Sequence, residues 1–234
     1  MIMSLYLIPT SLGETRLENI LPQYNFQIIA ELRFFVVENV RTARRFLKEV
    51  NRDINIDELT FFTLNEHTAE SEKAAMLKPL LDGNDMGIIS EAGCPAIADP
   101  GAEIVALAQK ANIKIVPLVG PSSIFLALMA SGFNGQNFAF SGYLPIDAKE
   151  RTKKLKTLEN RAYNENQSQI FIETPYRNNK MLSDIVTSCN SETKLCIAAD
   201  ITLETEFIKT KKVAEWKRAL PDLNKRPCIF IIYK

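Results

Sequence analysis

Residues 86–101 read MGIISEAGCPAIADPG, and residues 113–123 read IKIVPLVGPSS. Met86 to Ile89 is a short apolar run that opens into a turn-rich stretch holding Gly93, Pro95, Pro100 and Gly101. Ile113 to Val119 is a second apolar run, broken by Gly120-Pro121, which delivers Ser122-Ser123 to the start of a helical pattern. Short apolar runs bounded by Gly and Pro read as buried strands, so two strands end in small-residue loops. In an open α/β sheet the carboxyl ends of the strands form the crevice where ligands bind. Small residues there let backbone groups approach a ligand with no Cβ in the way. The pair reads as the floor and wall of a site for a small polar cofactor.

The same alternation extends outward. Leu5–Pro9, Phe34–Glu38 and Thr60–Leu64 read as strands ahead of Met86–Ser90 and Ile113–Leu118. Helical spacing starts at Glu14, with Leu17, Ile20 and Leu21, and recurs over Val40–Val50, 69–81 and Ala102–Ala111. This βαβ rhythm predicts a mostly parallel sheet with right-handed crossovers. Beyond Ser122 the pattern changes. A helix over Ser123–Ser131 ends at Gly132, a C′ glycine, and 147–161 and 177–188 read as further helices. Strands are expected at Phe138–Ser141, Gln169–Glu173, 194–200 and Arg226–Tyr233, with 206–213 pairing antiparallel. The expectation is two α/β domains, 1–117 and 118–234, the first sheet mostly parallel and the second mixed. No Ser/Gly-rich linker separates them, and Pro117–Pro121 is the best boundary.

Composition bounds the function. At 234 residues the chain has ample length for a buried core. Its 28 basic and 28 acidic residues cancel, so no global field advertises nucleic acid or a membrane. Locally, residues 41–52, 149–156 and 209–218 each hold five basic residues and one acidic. Each run is either a solvated face or a patch that meets an anionic substrate. The four cysteines lack paired metal spacing, and the N-terminus lacks the basic region of a signal peptide. No apolar run approaches the roughly 18 residues of a membrane span. A cytoplasmic protein with reduced thiols is expected. A lone His67 excludes a His-rich metal centre, so no metal is expected. His67 itself reads as a surface residue. Neither G-x-G-x-x-G nor a P-loop motif is present.

Several segments in order carry a further signal: LYLIPTSLGE, Glu38-Asn39-Val40-Arg41 after the second strand, SEAGCPAIADPG, VPLVGPSS, SGYLP, FIETPYR and AADIT. In this succession the chain resembles the tetrapyrrole-methylase-type S-adenosylmethionine (SAM) methyltransferases. The resemblance runs from about residue 5 to 232 and is nearest to the bacterial branch that 2′-O-methylates a cytidine of small-subunit ribosomal RNA. It implies two α/β domains with SAM in an inter-domain cleft, in a homodimer. Position by position, it implies cofactor contacts at Pro9, Thr10, Ala92, Gly93, Cys94, Ser122 and Ser123. It also implies contacts from Thr174 and Ala199 to the adenine.

Methyl transfer from a sulfonium needs in-line geometry, which positioning supplies. A hydroxyl acceptor must also lose its proton to a nearby base. Glu38, Glu91, Asp99 and Glu173 stand at or just past strand ends and are the candidates; Glu38 and Glu91 are preferred. Arg41 and Arg177 suit bidentate phosphate binding. Each carboxylate has a plainer reading as a loop-stabilising acceptor, as with Asp99 before Pro100. Tyr176 either stacks on a base or packs, and the resemblance implies for His67 a place among polar residues near the substrate. The rRNA branch carries Asp-Thr-Arg, Ser-Asp-Ala-Gly and Ser-Pro-His-Arg where this chain has Asn39-Val40-Arg41, Ser90-Glu91-Ala92-Gly93 and Thr174-Pro175-Tyr176-Arg177. These departures fall on substrate-side positions. They leave room for a small-molecule, tetrapyrrole-like methylase, or for a protein that binds SAM or S-adenosylhomocysteine without catalysis.

Overall fold

Strands that are apolar on both faces fit a sheet covered on both sides, and the first half of the chain builds one. In the computed structural model, which describes residues 3–65 and 67–234, the chain divides into two compact units, the first ending at Ser122 and the second running from Ser123 to Lys234. The first unit holds β1 (Ser4–Ile8), α1 (Gln23–Glu31), β2 (Phe34–Val37), α2 (Val40–Val50), β3 (Thr60–Thr63), α3 (Glu70–Met76), α4 (Lys78–Leu81), β4 (Met86–Ile89), α5 (Gly101–Lys110) and β5 (Lys114–Pro117). Its strands pair in the order β3-β2-β4-β1-β5, every pairing parallel. Side-chain alternation splits the core. Phe35 and Val37 join Ile8 and Leu47 on one face, while Val36 joins Leu5 and Ile88 on the other.

Two helical expectations change here. The stretch from Glu14 forms only a 3₁₀ turn at Leu17–Asn19, although Leu17 and Leu21 are buried as their spacing predicts. The true helix, α1, starts after Pro22, whose ring fixes φ for a helix entry. It escapes the sequence pattern because its inward residue Asn25 is polar; that amide donates to the carbonyl of Val119 at 2.8 Å. The helix expected over 69–81 is divided at Leu77 into α3 and α4, because Pro79 has no N–H to continue the ladder.

The second unit holds α6 (Ser123–Ser131), β6 (Phe138–Tyr143), α7 (Ala148–Asn164), β7 (Ser168–Ile172), α8 (Asn178–Ser188), β8 (Lys194–Ala199), β9 (Phe207–Lys212), α9 (Val213–Trp216) and β10 (Cys228–Tyr233). The strand order is β6-β7-β10-β8-β9, with β6–β7 parallel and the other pairings antiparallel. This is the mixed sheet expected. Phe171, Phe230, Leu155, Ile185 and Trp216 fill its core, and the Trp216 indole N–H donates to the carbonyl of Leu195 at 3.0 Å. Among the described residues no helix is long and apolar enough to cross a membrane.

Candidate active site

The strand order of the first unit decides where a ligand can sit. β2 and β4 are neighbours. The chain leaves β2 toward β3 at the sheet edge, whereas it leaves β4 toward β5 on the far side of β1. Diverging connections open a crevice at the carboxyl ends of that pair. Glu38 follows β2 directly, and Ser90-Glu91 follow β4. A shallow depression there is lined by Val37, Glu38, Leu64, Ile89, Asp99 and Gly101.

Two carboxylates, Glu38 and Asp99, line it, and a third, Glu91, is near enough for its charge to act on Glu38. Burial pushes the Glu38 carboxyl up to about 6, and the negative charges of Asp99 and Glu91, together with a hydrogen bond to Asp99, add to that. Like charges held close oppose ionisation, and a protonated carboxyl is the relief. Asp99 cannot swing away. Its Oδ1 accepts from the backbone N–H of Ala96 at 3.2 Å and of Gly101 at 2.7 Å, bracing a loop in which Ala96 and Ala98 both adopt left-handed backbone at φ 64° and 57°. Asp99 thus braces the loop, the plainer of its two readings, and it also hydrogen-bonds Glu38. Non-glycine residues in that conformation store strain, which tends to gather at functional loops.

Glu91 is exposed but also held: the hydroxyl of Thr42 lies 2.7 Å from its Oε1 and 2.9 Å from the carbonyl of Asn39. Asn39 caps α2, its Oδ1 accepting from the N–H of Arg41 at 2.9 Å and of Thr42 at 3.4 Å. The residue at which this chain departs from the rRNA branch thus serves as a helix cap. The sequence alone does not mark Thr42 as a site residue. Its position three after an N-cap is the only local signal. Arg41 is exposed at the head of α2, one turn from Glu38.

The small-residue loops are locked to one another. Thr10 N–H donates to the carbonyl of Gly93 at 3.0 Å, and the Ser90 hydroxyl donates to the same carbonyl at 2.6 Å. The Thr10 hydroxyl donates to the Ser90 carbonyl at 3.2 Å, and the Cys94 thiol reaches the Pro121 carbonyl at 3.5 Å. Gly93 has φ 73°, and a Cβ there would lie 3.1 Å from Leu12. At Gly120 a Cβ would fall 2.2 Å from Cγ of Pro9. The glycines are thus demanded first by contact between loops. Gly120→Ala is expected to destabilise the protein by about 1–3 kcal/mol, since the rigid Pro9 ring cannot yield. Chemical denaturation measures it, and an unchanged midpoint would contradict this packing. Burial pushes the Cys94 thiol up, which makes it a poor nucleophile at neutral pH. Ala92 is exposed and Ser122 half-buried.

The remaining candidates lie in the second unit. Ser123 opens α6, and Ala199 is fully buried at the end of β8. Arg177 is committed to a neighbour: its Nε and a terminal nitrogen donate to Glu173 Oε1 at 3.0 and 2.6 Å, and the Nε lies 3.1 Å from the Thr174 hydroxyl. Glu173, nearly buried, also accepts from the Thr174 N–H at 2.7 Å. Glu173 and Arg177 read as a strand-end clasp, and Tyr176 beside them is 75% exposed. His67 is exposed, its N–H held by Asn65 at 2.9 Å; the adjacent Glu66 lies outside the described residues. Among the described residues no cluster of metal-ligating side chains occurs.

Comparison with known proteins adds the identity of the scaffold. The tetrapyrrole (corrin/porphyrin) methylase family profile matches residues 16–217. The chain belongs to the tetrapyrrole methylase family. Among its relatives, the ribosomal RNA small subunit methyltransferase I of Vibrio cholerae is 30% identical over 90% of this chain and 69% of its own length. The protein of that name from Escherichia coli O157:H7 is 28% identical over 97% of this chain and 77% of its own length. The one from Pasteurella multocida is 33% identical over 74% and 61%. The crystal structure of the methyltransferase CobJ superposes with a TM-score of 0.64 at 14% identity, covering 100% of this chain and 94% of that one, which shows the shared fold. This tetrapyrrole methylase-family member is a methyltransferase by class.

Proposed function

We propose that the chain transfers a methyl group from SAM to a ribose hydroxyl of small-subunit ribosomal RNA, with Glu38 receiving the hydroxyl proton. The observation that carries this reading is the half-buried Glu38 at the β2–β4 crevice beside Asp99 and Glu91, where burial first and the neighbouring charges second raise its carboxyl to about 6. A base titrating near the working pH combines availability with driving force better than an ordinary carboxylate does. Burial contributes most to that value, Asp99 and Glu91 add to it, and Thr42 holds Glu91 in place. Bound SAM supplies an electrophilic methyl on a positively charged sulfur. The residues of the first unit suit it in kind: Thr10, Ala92, Gly93, Cys94 and Ser122 keep the rim small and rich in backbone polar groups, and the acidic cluster complements positive charge. The names of the relatives support an RNA acceptor. The same reading makes the protein a cytoplasmic homodimer, for which the exposed Met129, Tyr143 and Ile146 offer apolar contact.

The test has two parts. Saturating S-adenosylhomocysteine, at about 100 times its Kd, should stabilise the protein by about 2.7 kcal/mol, a rise in Tm of several degrees at this size. Radiolabelled methyl from SAM should then enter small-subunit RNA and become resistant to alkaline cleavage at one ribose. A Tm shift with label in a tetrapyrrole instead would replace the substrate. A shift with no acceptor labelled would point to a binding protein, and no shift would remove the cofactor.

A further inference from the structure

We infer that the outward face of α2 is the track on which the phosphates of the RNA substrate rest, an inference that builds on the proposed RNA methylation. Arg41, Arg45 and Lys48 stand at i, i+4 and i+7, and all three are exposed. Ala43, Phe46 and Leu47 fill the opposite face and are buried. With a rise of 1.5 Å per residue, the three cations follow one line at intervals of about 6 and 4.5 Å. The acid of this helix, Glu49, is exposed at its far end, away from Arg41.

Folding gives no account of this ridge. Among the described residues, none of Arg41, Arg45 and Lys48 forms an ion pair, whereas Lys73 is held by Glu70 and Glu103 and Arg151 by Asp184. Arg44, on the flank, is placed differently: its guanidinium lies 5.5 Å above the Phe61 ring. The Nζ of Lys48 reaches the carbonyl of Arg52 at 3.0 Å. Arg41 occupies the first turn, where the helix dipole disfavours a cation and the helix itself supplies no acidic residue. A row of unpaired, exposed cations is a surface for an anion with repeating charges.

Position turns this from a charged face into a substrate path. The ridge begins three residues after Glu38, and Thr42 ties the same turn of helix to Glu91. Three clustered carboxylates repel a nucleic acid backbone, so an RNA strand needs cations beside them to stay. Arg41 stands at that border, with Arg45 and Lys48 carrying the contact away along the helix.

The experiment measures affinity for a labelled small-subunit RNA transcript across 50–300 mM KCl. It compares the wild type, R45A/K48A and, at the opposite ends of the strands, K110A/K114A. Lys110 and Lys114 are exposed and lose the same charge when replaced. Each single-strand phosphate contact contributes about 0.7 to the slope of log affinity against log salt. R45A/K48A should therefore flatten the slope by about 1.4, with K110A/K114A unchanged. A slope unaltered in R45A/K48A, equal flattening in K110A/K114A, or a wild type that does not bind would overturn the inference. The Tm shift with S-adenosylhomocysteine checks that each variant is folded, and R45Q/K48Q substitutes if R45A/K48A is not. A wild type that binds through Arg45 and Lys48 but methylates no RNA would sink the substrate reading and leave the surface standing. Methylation with an unaltered slope would do the reverse.

Discussion

Glu38→Gln is expected to slow methyl transfer on the order of 10²- to 10⁴-fold, the range that a positioned proton acceptor supplies. The same change should make the protein more stable at neutral pH. The carboxyl titrates near 4.5 in an unfolded chain and near 6 in the fold. Ionisation is therefore harder in the native state, and stability that is complete below pH 4.5 declines as pH rises through 6. Glutamine keeps the shape and removes that decline. Its gain in Tm over the wild type should appear above pH 6 and vanish below 4.5. The wild-type rate should climb with pH through about 6, and the variant should lose that limb. Rate and stability moving in opposite directions distinguish a proton acceptor from a packing residue. A variant that loses both together, or whose pH–rate profile matches the wild type, would remove Glu38 from the chemistry.

Asp184→Ala should cost the second unit about 3–5 kcal/mol, because it strands a buried guanidinium. Arg151 is only 6% exposed; its Nε and a terminal nitrogen meet Asp184 Oδ2 at 2.7 and 2.6 Å. The other terminal nitrogen donates to the carbonyls of Pro145 and Ile146 at 3.0 and 2.6 Å, fastening the start of α7 to the turn before it. Lys180 meets the remaining oxygen of Asp184 at 2.8 Å. Burial alone would push the Asp184 carboxyl up, but hydrogen bonds from Lys180 and Arg151 outweigh it and hold the group below its usual value of 3.8. The contribution is thus present above pH 3.8 and drains away as pH falls through the lower native value. Calorimetry should find the gap between wild type and variant wide at pH 7 and closing below 3.8. A loss under 1 kcal/mol at neutral pH would mean the pair is worth no more than one on the surface.

The parts of this molecule that short-range chemistry writes are readable in its sequence. Strands such as Met86–Ile89 are buried on both faces, so their apolar run needs no partner to be recognised. Glu38 and Glu91 stand out because a charge directly after such a run marks a strand end. What escapes is set by residues distant in the chain. Asn25 is a core residue only because Val119 offers a carbonyl, and Gly120 is required by the ring of Pro9. Arg151, one of five basic residues in 149–156, looks like its neighbours until Asp184 claims it. The meeting of Thr42 with Glu91 spans 49 positions and leaves no trace in either local pattern. Arg177 shows the converse: the motif is plain, yet its guanidinium is engaged by Glu173 four residues earlier.

The placing of β10 has a consequence for how the protein is made. In the second sheet this strand lies between β7 and β8, and both of its neighbours pair with it along their length. The first sheet, in contrast, has all its strands once residue 117 has emerged. During synthesis the first unit can therefore close early, while the second waits with the edges of β7 and β8 open until residues 228–233 arrive. Exposed strand edges invite pairing with other chains. A nascent chain stalled between these two points is the form of this protein most in need of a chaperone.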